Sequence, residues 1–177
     1  MPQRFEHSLG VSQVMGELAQ VYGIDRERAV TTGLLHDAAK DLTPVEQAEV
    51  ISRANIEIRY ECELNYSLYL HGPASAYVVQ YELEITDEVI LDAIEMHTYY
   101  GNSVNFDDPI CWCLRFADIL EPYRTWSDVR WLRDNVSRLR EVVYAGRMSE
   151  GALLQTGWLV KWFSEADMPI HPNMQRV

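Results

Sequence analysis

Apolar residues recur along this chain at spacings of three and four, the period of an amphipathic helix, in one segment after another. From His7 the stripe runs through Val11, Val14, Met15, Leu18 and Tyr22, and Gly23 is placed to end it. Asp25 suits the N-cap of a second helix carrying Ala29, Gly33 and His36. Thr43-Pro44-Val45-Glu46 combines a capping box with proline at the first helical position. Residues 54–70, with Asn55, Asn65 and several tyrosines, read as loop or broken helix. Gly72-Pro73 opens a helix to about Leu83. Thr86 caps the next, with Asp87 and Glu88 in its first turn and Ile90, Ala93, Ile94 and His97 along its face. Tyr99 to Asp107 reads as a loop. Asp108-Pro109 starts a helix through Ile110, Leu114 and Ala117 to Asp118, and helices over 127–146 and 149–165 close the chain. No stretch alternates with period two and no internal repeat is present, so the expectation is an all-α helical bundle, one domain over residues 1–177.

Composition narrows the class. With 177 residues and 47% apolar content the chain can bury a sizeable core, which excludes a disordered tail. No apolar run approaches the roughly 20 residues of a membrane span, and the start lacks the apolar core of a signal peptide. A cytoplasmic protein with no membrane association is expected. Cys62, Cys111 and Cys113 form no zinc-binding pattern and read as thiols buried in a reducing compartment. Twenty-seven acids against fifteen bases give a net charge of −12, which argues against broad binding to nucleic acid. It leaves room for a small phosphorylated molecule at a local cationic site.

The histidines change the picture more. There are five, and His7 and His97 each fall in register with an apolar stripe. His36, next to Asp37, follows the inward positions Ala29 and Gly33, and Asp118 falls four residues after Leu114. Any one of these alone reads as a hydrogen-bonded core residue. Several segments each aiming a polar group inward need partners, and a shared metal is one economical solution. His7, His36, Asp37, His71, His97 and Asp118 offer four imidazoles and two carboxylates, a mix that suits iron, manganese or zinc better than copper(I). Six ligands exceed one tetrahedral zinc, whereas two divalent ions bridged by a carboxylate and a water would use them all. His171, in Pro169-Ile170-His171-Pro172, reads as a surface or packing residue on extended chain. Trp158 and Trp162, four apart, suit core packing or a homodimer face, and Tyr99 and Tyr100 are the better candidates for touching a nucleobase.

The order His7…His36-Asp37…His71…His97…Asp118 resembles the ligand order of the HD-domain metal-dependent phosphohydrolases. Arg4-Phe5-Glu6-His7, Gly33-Leu34-Leu35-His36-Asp37-Ala38-Ala39-Lys40, His97-Thr98 and the stretch Ala117-Asp118-Ile119-Leu120-Glu121-Pro122-Tyr123-Arg124 are similar to motifs of the YqeK-type subfamily, as is Ile170-His171-Pro172. The resemblance implies an all-α HD fold, a dinuclear centre, iron first among metals, and symmetrical hydrolysis of diadenosine tetraphosphate to two ADP. It implies His7, His36, Asp37, His71, His97 and Asp118 as ligands, with Asp37 bridging. Arg4, Lys40 and Arg124 would lie near the phosphates. Asp41 would orient water or Lys40, and Glu121 would either contact substrate or pair with Arg124. The chain departs from the subfamily where His97-Thr98-Tyr99-Tyr100-Gly101 enlarges a loop, where His71 precedes Gly72-Pro73, and where only Pro2 and Gln3 separate Met1 from Arg4. Three other readings share the fold: hydrolysis of a mononucleotide or another phosphate ester, di-iron oxygen chemistry, and a non-catalytic nucleotide sensor.

Overall fold

A computed structural model describes residues 2–101, 109–126 and 130–177. Eight α-helices, and no strand, occur among them: α1 (Pro2–Tyr22), α2 (Arg26–Leu35), α3 (Pro44–Arg53), α4 (His71–Tyr81), α5 (Glu88–Met96), α6 (Pro109–Leu120), α7 (Arg130–Tyr144) and α8 (Met148–Glu165). The all-α expectation therefore holds. No helix of the described residues is long and apolar enough to cross a membrane.

The core is the sum of the stripes. Val11, Val14, Met15 and Leu18 of α1 meet Trp112, Leu114 and Phe116 of α6, with Leu139 and Val143 of α7 in the same cluster. Burying each such side chain contributes about 1.5–3 kcal/mol. Cys111 and Cys113 are buried in this core as free thiols. Helices α1 and α2 approach closely because Gly33 has no side chain. A Cβ there would sit 2.8 Å from the Ser12 Cα and 3.0 Å from the Ser12 nitrogen, backbone atoms that cannot swing aside. Gly33→Val is expected to cost about 2 kcal/mol or more by overpacking, seen as a lower Tm in thermal unfolding.

Most local signals act as expected. Asp25 accepts from the Arg28 N–H, and Thr43 and Glu46 form the full capping box. Four expectations need correction. The first helix begins at Pro2, not His7. The fifth helix is capped by Asp87 rather than Thr86, because the Asp87 carboxylate accepts from Val89 and Ile90 N–H while also pairing with Arg28. The fourth helix starts at His71, fed directly by a π-helical turn over Tyr66–Leu70, and a 3-10 turn over Glu61–Leu64 precedes that. The second helix stops at Leu35. His36 to Asp41 then form tight turns, with Ala38 N–H bonded to the Leu35 carbonyl and Lys40 N–H to the Asp37 carbonyl. Residues 102–108 of the expected loop and 127–129 of the expected seventh helix lie outside the described residues.

Candidate metal centre

Helix ends converge on one point. His36 is the C-cap of α2, His97 the C-cap of α5, His71 the first residue of α4, and Asp118 lies in the last turn of α6. His7 comes in from the early turns of α1, and Asp37 from the turn after α2. His36 Nδ1 donates to the Gly33 carbonyl at 2.8 Å and His97 Nδ1 to the Ile94 carbonyl at 2.6 Å. In each case the ring satisfies a carbonyl of its own last helical turn, and the bond leaves the Nε2 lone pair facing the centre.

The centre has two halves, joined by Asp37. Its Oδ2 lies 3.7 Å from His7 Nε2 and 3.5 Å from His36 Nε2, and those two nitrogens are 3.4 Å apart. Its Oδ1 lies 3.3 Å from His71 Nε2 and 3.8 Å from His97 Nε2, which are 3.1 Å apart. His7-His36-Asp37 and Asp37-His71-His97 are thus two sets of close donor atoms sharing one carboxylate. Asp118 Oδ1 joins the first set, 3.2 Å from His7 and 3.9 Å from His36.

The donors fit cations. Asp118 Oδ1 is a buried oxygen that accepts no well-formed hydrogen bond among the described residues. Nitrogen lone pairs facing each other across little more than 3 Å need positive charge between them. The protonation pattern makes the same demand. Burial works against charge on His7, yet the adjacent Asp118 and Glu121 lift its pKa to about 9. Burial likewise opposes ionisation of Asp37, but His36, His71 and Lys40 outweigh it and hold the carboxyl well below its usual range. Asp118 is also held low, with Arg124, His7 and His36 outweighing burial. His97 is pushed well below the ordinary histidine value, first by burial and then by His71 and His36. A cation seated here would replace the proton His7 carries and relieve the crowding at His71 and His97.

Three side chains add charge at the rim. Arg4 donates to Asp37 Oδ2 at 2.7 Å, and its other guanidinium nitrogens bond Asp41. Lys40 Nζ donates to the Ser67 carbonyl and lies 2.8 Å from His71 Nε2, with burial pulling its pKa down. Arg124 reaches Asp118 at 3.2 Å and lies over the Trp126 ring. All three line a cavity of about 300 Å³ that opens on the centre. A larger cavity of about 890 Å³, lined partly by Arg53, Glu57 and Tyr81, contains none of the six candidate ligands, so the chemistry belongs to the smaller one.

The six expected ligands are brought together; other expected site residues are not where the sequence placed them. Glu121 lies behind His7, away from the cavity. It accepts from His7 Nδ1 at 3.2 Å and from the Tyr123 N–H at 2.6 Å, and so orients a ligand rather than touching substrate. Asp41 is exposed at the rim and holds Arg4, not water or Lys40. Tyr99 lines the cavity, but its hydroxyl bonds Thr156 and Arg115 covers one ring face. Tyr100 points elsewhere, donating to the Glu57 carbonyl. His171 is fully buried instead of lying at the surface. Trp158 packs on the core as expected, whereas Trp162 also lines the cavity. Gln155, not anticipated from the sequence, lies in the same wall.

An all-α bundle whose helix ends gather four histidines and two aspartates in this order defines the class of HD-type helical domains. The HD domain family model matches residues 4–123, and the chain belongs to that family. It is 33% identical to the symmetrical bis(5'-nucleosyl)-tetraphosphatase of Bacillus subtilis over 138 residues, 78% of this chain and 69% of the relative. A relative of the same name from Halalkalibacterium halodurans is 33% identical over 134 residues, 73% of this chain and 67% of its own length. A crystal structure of a predicted HD superfamily hydrolase involved in NAD metabolism, from Clostridium acetobutylicum, superposes with a TM-score of 0.82 at 27% identity. It covers 97% of this chain and 84% of that one.

Proposed function

We propose that this chain hydrolyses diadenosine tetraphosphate symmetrically to two ADP, using two divalent metal ions, with iron favoured and manganese or zinc as alternatives. The observation that carries the reading is Asp37, whose two oxygens each face a separate pair of imidazoles. Relatives of the printed activity, at one-third identity across most of the chain, supply the substrate class. When bound, the metal pair acidifies a water and draws charge off the phosphate oxygens. His7, His36, His71, His97, Asp37 and Asp118 would hold it, and the absence of any cysteine from the set fits iron over softer metals.

The chain's own groups do the rest. Arg124 offers a planar fork for phosphate oxygens, and Lys40 a point charge. Arg4 is already committed to Asp37 and Asp41, so it braces the bridging carboxylate and presents its remaining charge to the rim. Three cations on one small cavity answer the −12 net charge locally. The partner is therefore a small nucleotide; a broad anionic surface repels nucleic acid and the head groups of anionic lipid. Incubating the purified protein with diadenosine tetraphosphate should yield ADP alone. AMP plus ATP, or no turnover with metal present, would overturn the reading.

A further inference from the structure

One wall of the cavity is built by a single face of α8. Gln155, Leu159, Trp162 and Phe163 stand at i, i+4, i+7 and i+8, and Trp126 meets Trp162 edge to face with ring centroids 5.9 Å apart. The face is apolar except for Gln155. That side chain is 2% exposed. Its Nε2 donates to the Arg115 carbonyl at 3.0 Å, which settles which way the amide points. Its Oε1 is buried and accepts no hydrogen bond among the described residues. A leucine at this position would complete the apolar face without leaving a carbonyl unmet. An unmet acceptor in a ligand cavity is answered when a donor arrives with the ligand.

We propose that Gln155 recognises the nucleobase: its Oε1 accepts a hydrogen bond from the exocyclic amino group of an adenine lying against the Trp126–Trp162 wall. This deepens the dinucleoside tetraphosphate reading and rests on it. The phosphates would be held by Lys40 and Arg124 on the opposite side, while the aromatic wall takes the base by stacking and Gln155 reads its edge. A base with a carbonyl at that position would set two acceptors against each other and be disfavoured.

Binding tests this without relying on turnover. Calorimetric titration of the wild-type protein with ADP and with purine-riboside 5'-diphosphate, which lacks the amino group, should show ADP binding about tenfold tighter. Inosine diphosphate should bind no better than the unsubstituted purine. In Gln155→Leu the ADP advantage should vanish, with the affinity for the unsubstituted purine changed by less than about twofold. Equal binding of ADP and the unsubstituted purine to the wild type overturns the assignment, and needs no variant. If they bind equally and diadenosine tetraphosphate still yields ADP alone, only the role of Gln155 falls. If neither nucleotide binds, the nucleotide reading falls with it.

Discussion

Asp37→Ala should strip metal from both halves of the centre and lower turnover of diadenosine tetraphosphate by about 10³-fold or more, since metal-supplied stabilisation is worth several kcal/mol. Elemental analysis of wild-type protein purified without chelator should find about two ions per chain. The Asp37→Ala protein should hold none. The reason is geometric: Asp37 is the one carboxylate that meets both imidazole pairs, at 3.5 Å on one side and 3.3 Å on the other. Asp118→Asn provides the contrast, because Asp118 approaches only His7 and His36. It should weaken one ion and leave the other. Removing Asp37 also deprives Arg4 and the four histidines of their shared anion, so the metal-free variant should be checked for native helicity by circular dichroism. A folded Asp37→Ala protein that retains two ions and full activity would remove the assignment.

The ligand set was legible in the sequence because its members lie in register with helical stripes. His7, His97 and Asp118 sit on faces whose other members are apolar, and His36-Asp37 is a local pair. What the sequence concealed depends on distant parts of the chain. Glu121 is drawn under His7 only because Gly10 leaves room; a Cβ there would fall 2.6 Å from Glu121 Oε2. No local pattern announces a contact 114 residues apart. The turn after Leu35 is also hidden, since Ala38 and Ala39 favour continued helix. It is the turn that directs Asp37 between the two imidazole pairs. Gln155 had a weak signal, one polar position in the face shared by Leu159, Trp162 and Phe163, yet glutamine is an ordinary helix residue and its burial appears only when α8 packs on α6.

His171→Ala is expected to lower stability by about 3–5 kcal/mol, the range for removing one member of a buried polar pair. His171 and Glu63 are both fully buried, and His171 Nε2 lies 3.1 Å from Glu63 Oε1. The Asn173 N–H donates to His171 Nδ1, so the proton of this ring sits on Nε2 and is given to the carboxylate. Glu63 Oε2 takes the Arg59 and Tyr60 N–H groups. Truncating the histidine would leave Oε1 buried without that donor and open a void beside Tyr69 and Tyr60. The effect should also reach the metal centre. Asn173, two residues on, donates to the Tyr99 and Gly101 carbonyls, fixing the chain just after His97, where Tyr99 takes a left-handed φ of 65°. The Tyr69 hydroxyl ties in the same segment by donating to the Pro169 carbonyl and accepting from the His171 N–H. Loss of the tail's anchor therefore frees both the Tyr99 turn and the π-helical turn that delivers His71. Thermal unfolding should show a fall in Tm of well over 5 °C, since about 1 kcal/mol corresponds to roughly 2–4 °C in a chain of this size. Metal affinity should weaken at the His71–His97 half before the His7–His36 half, because only the former is built from the segments His171 holds.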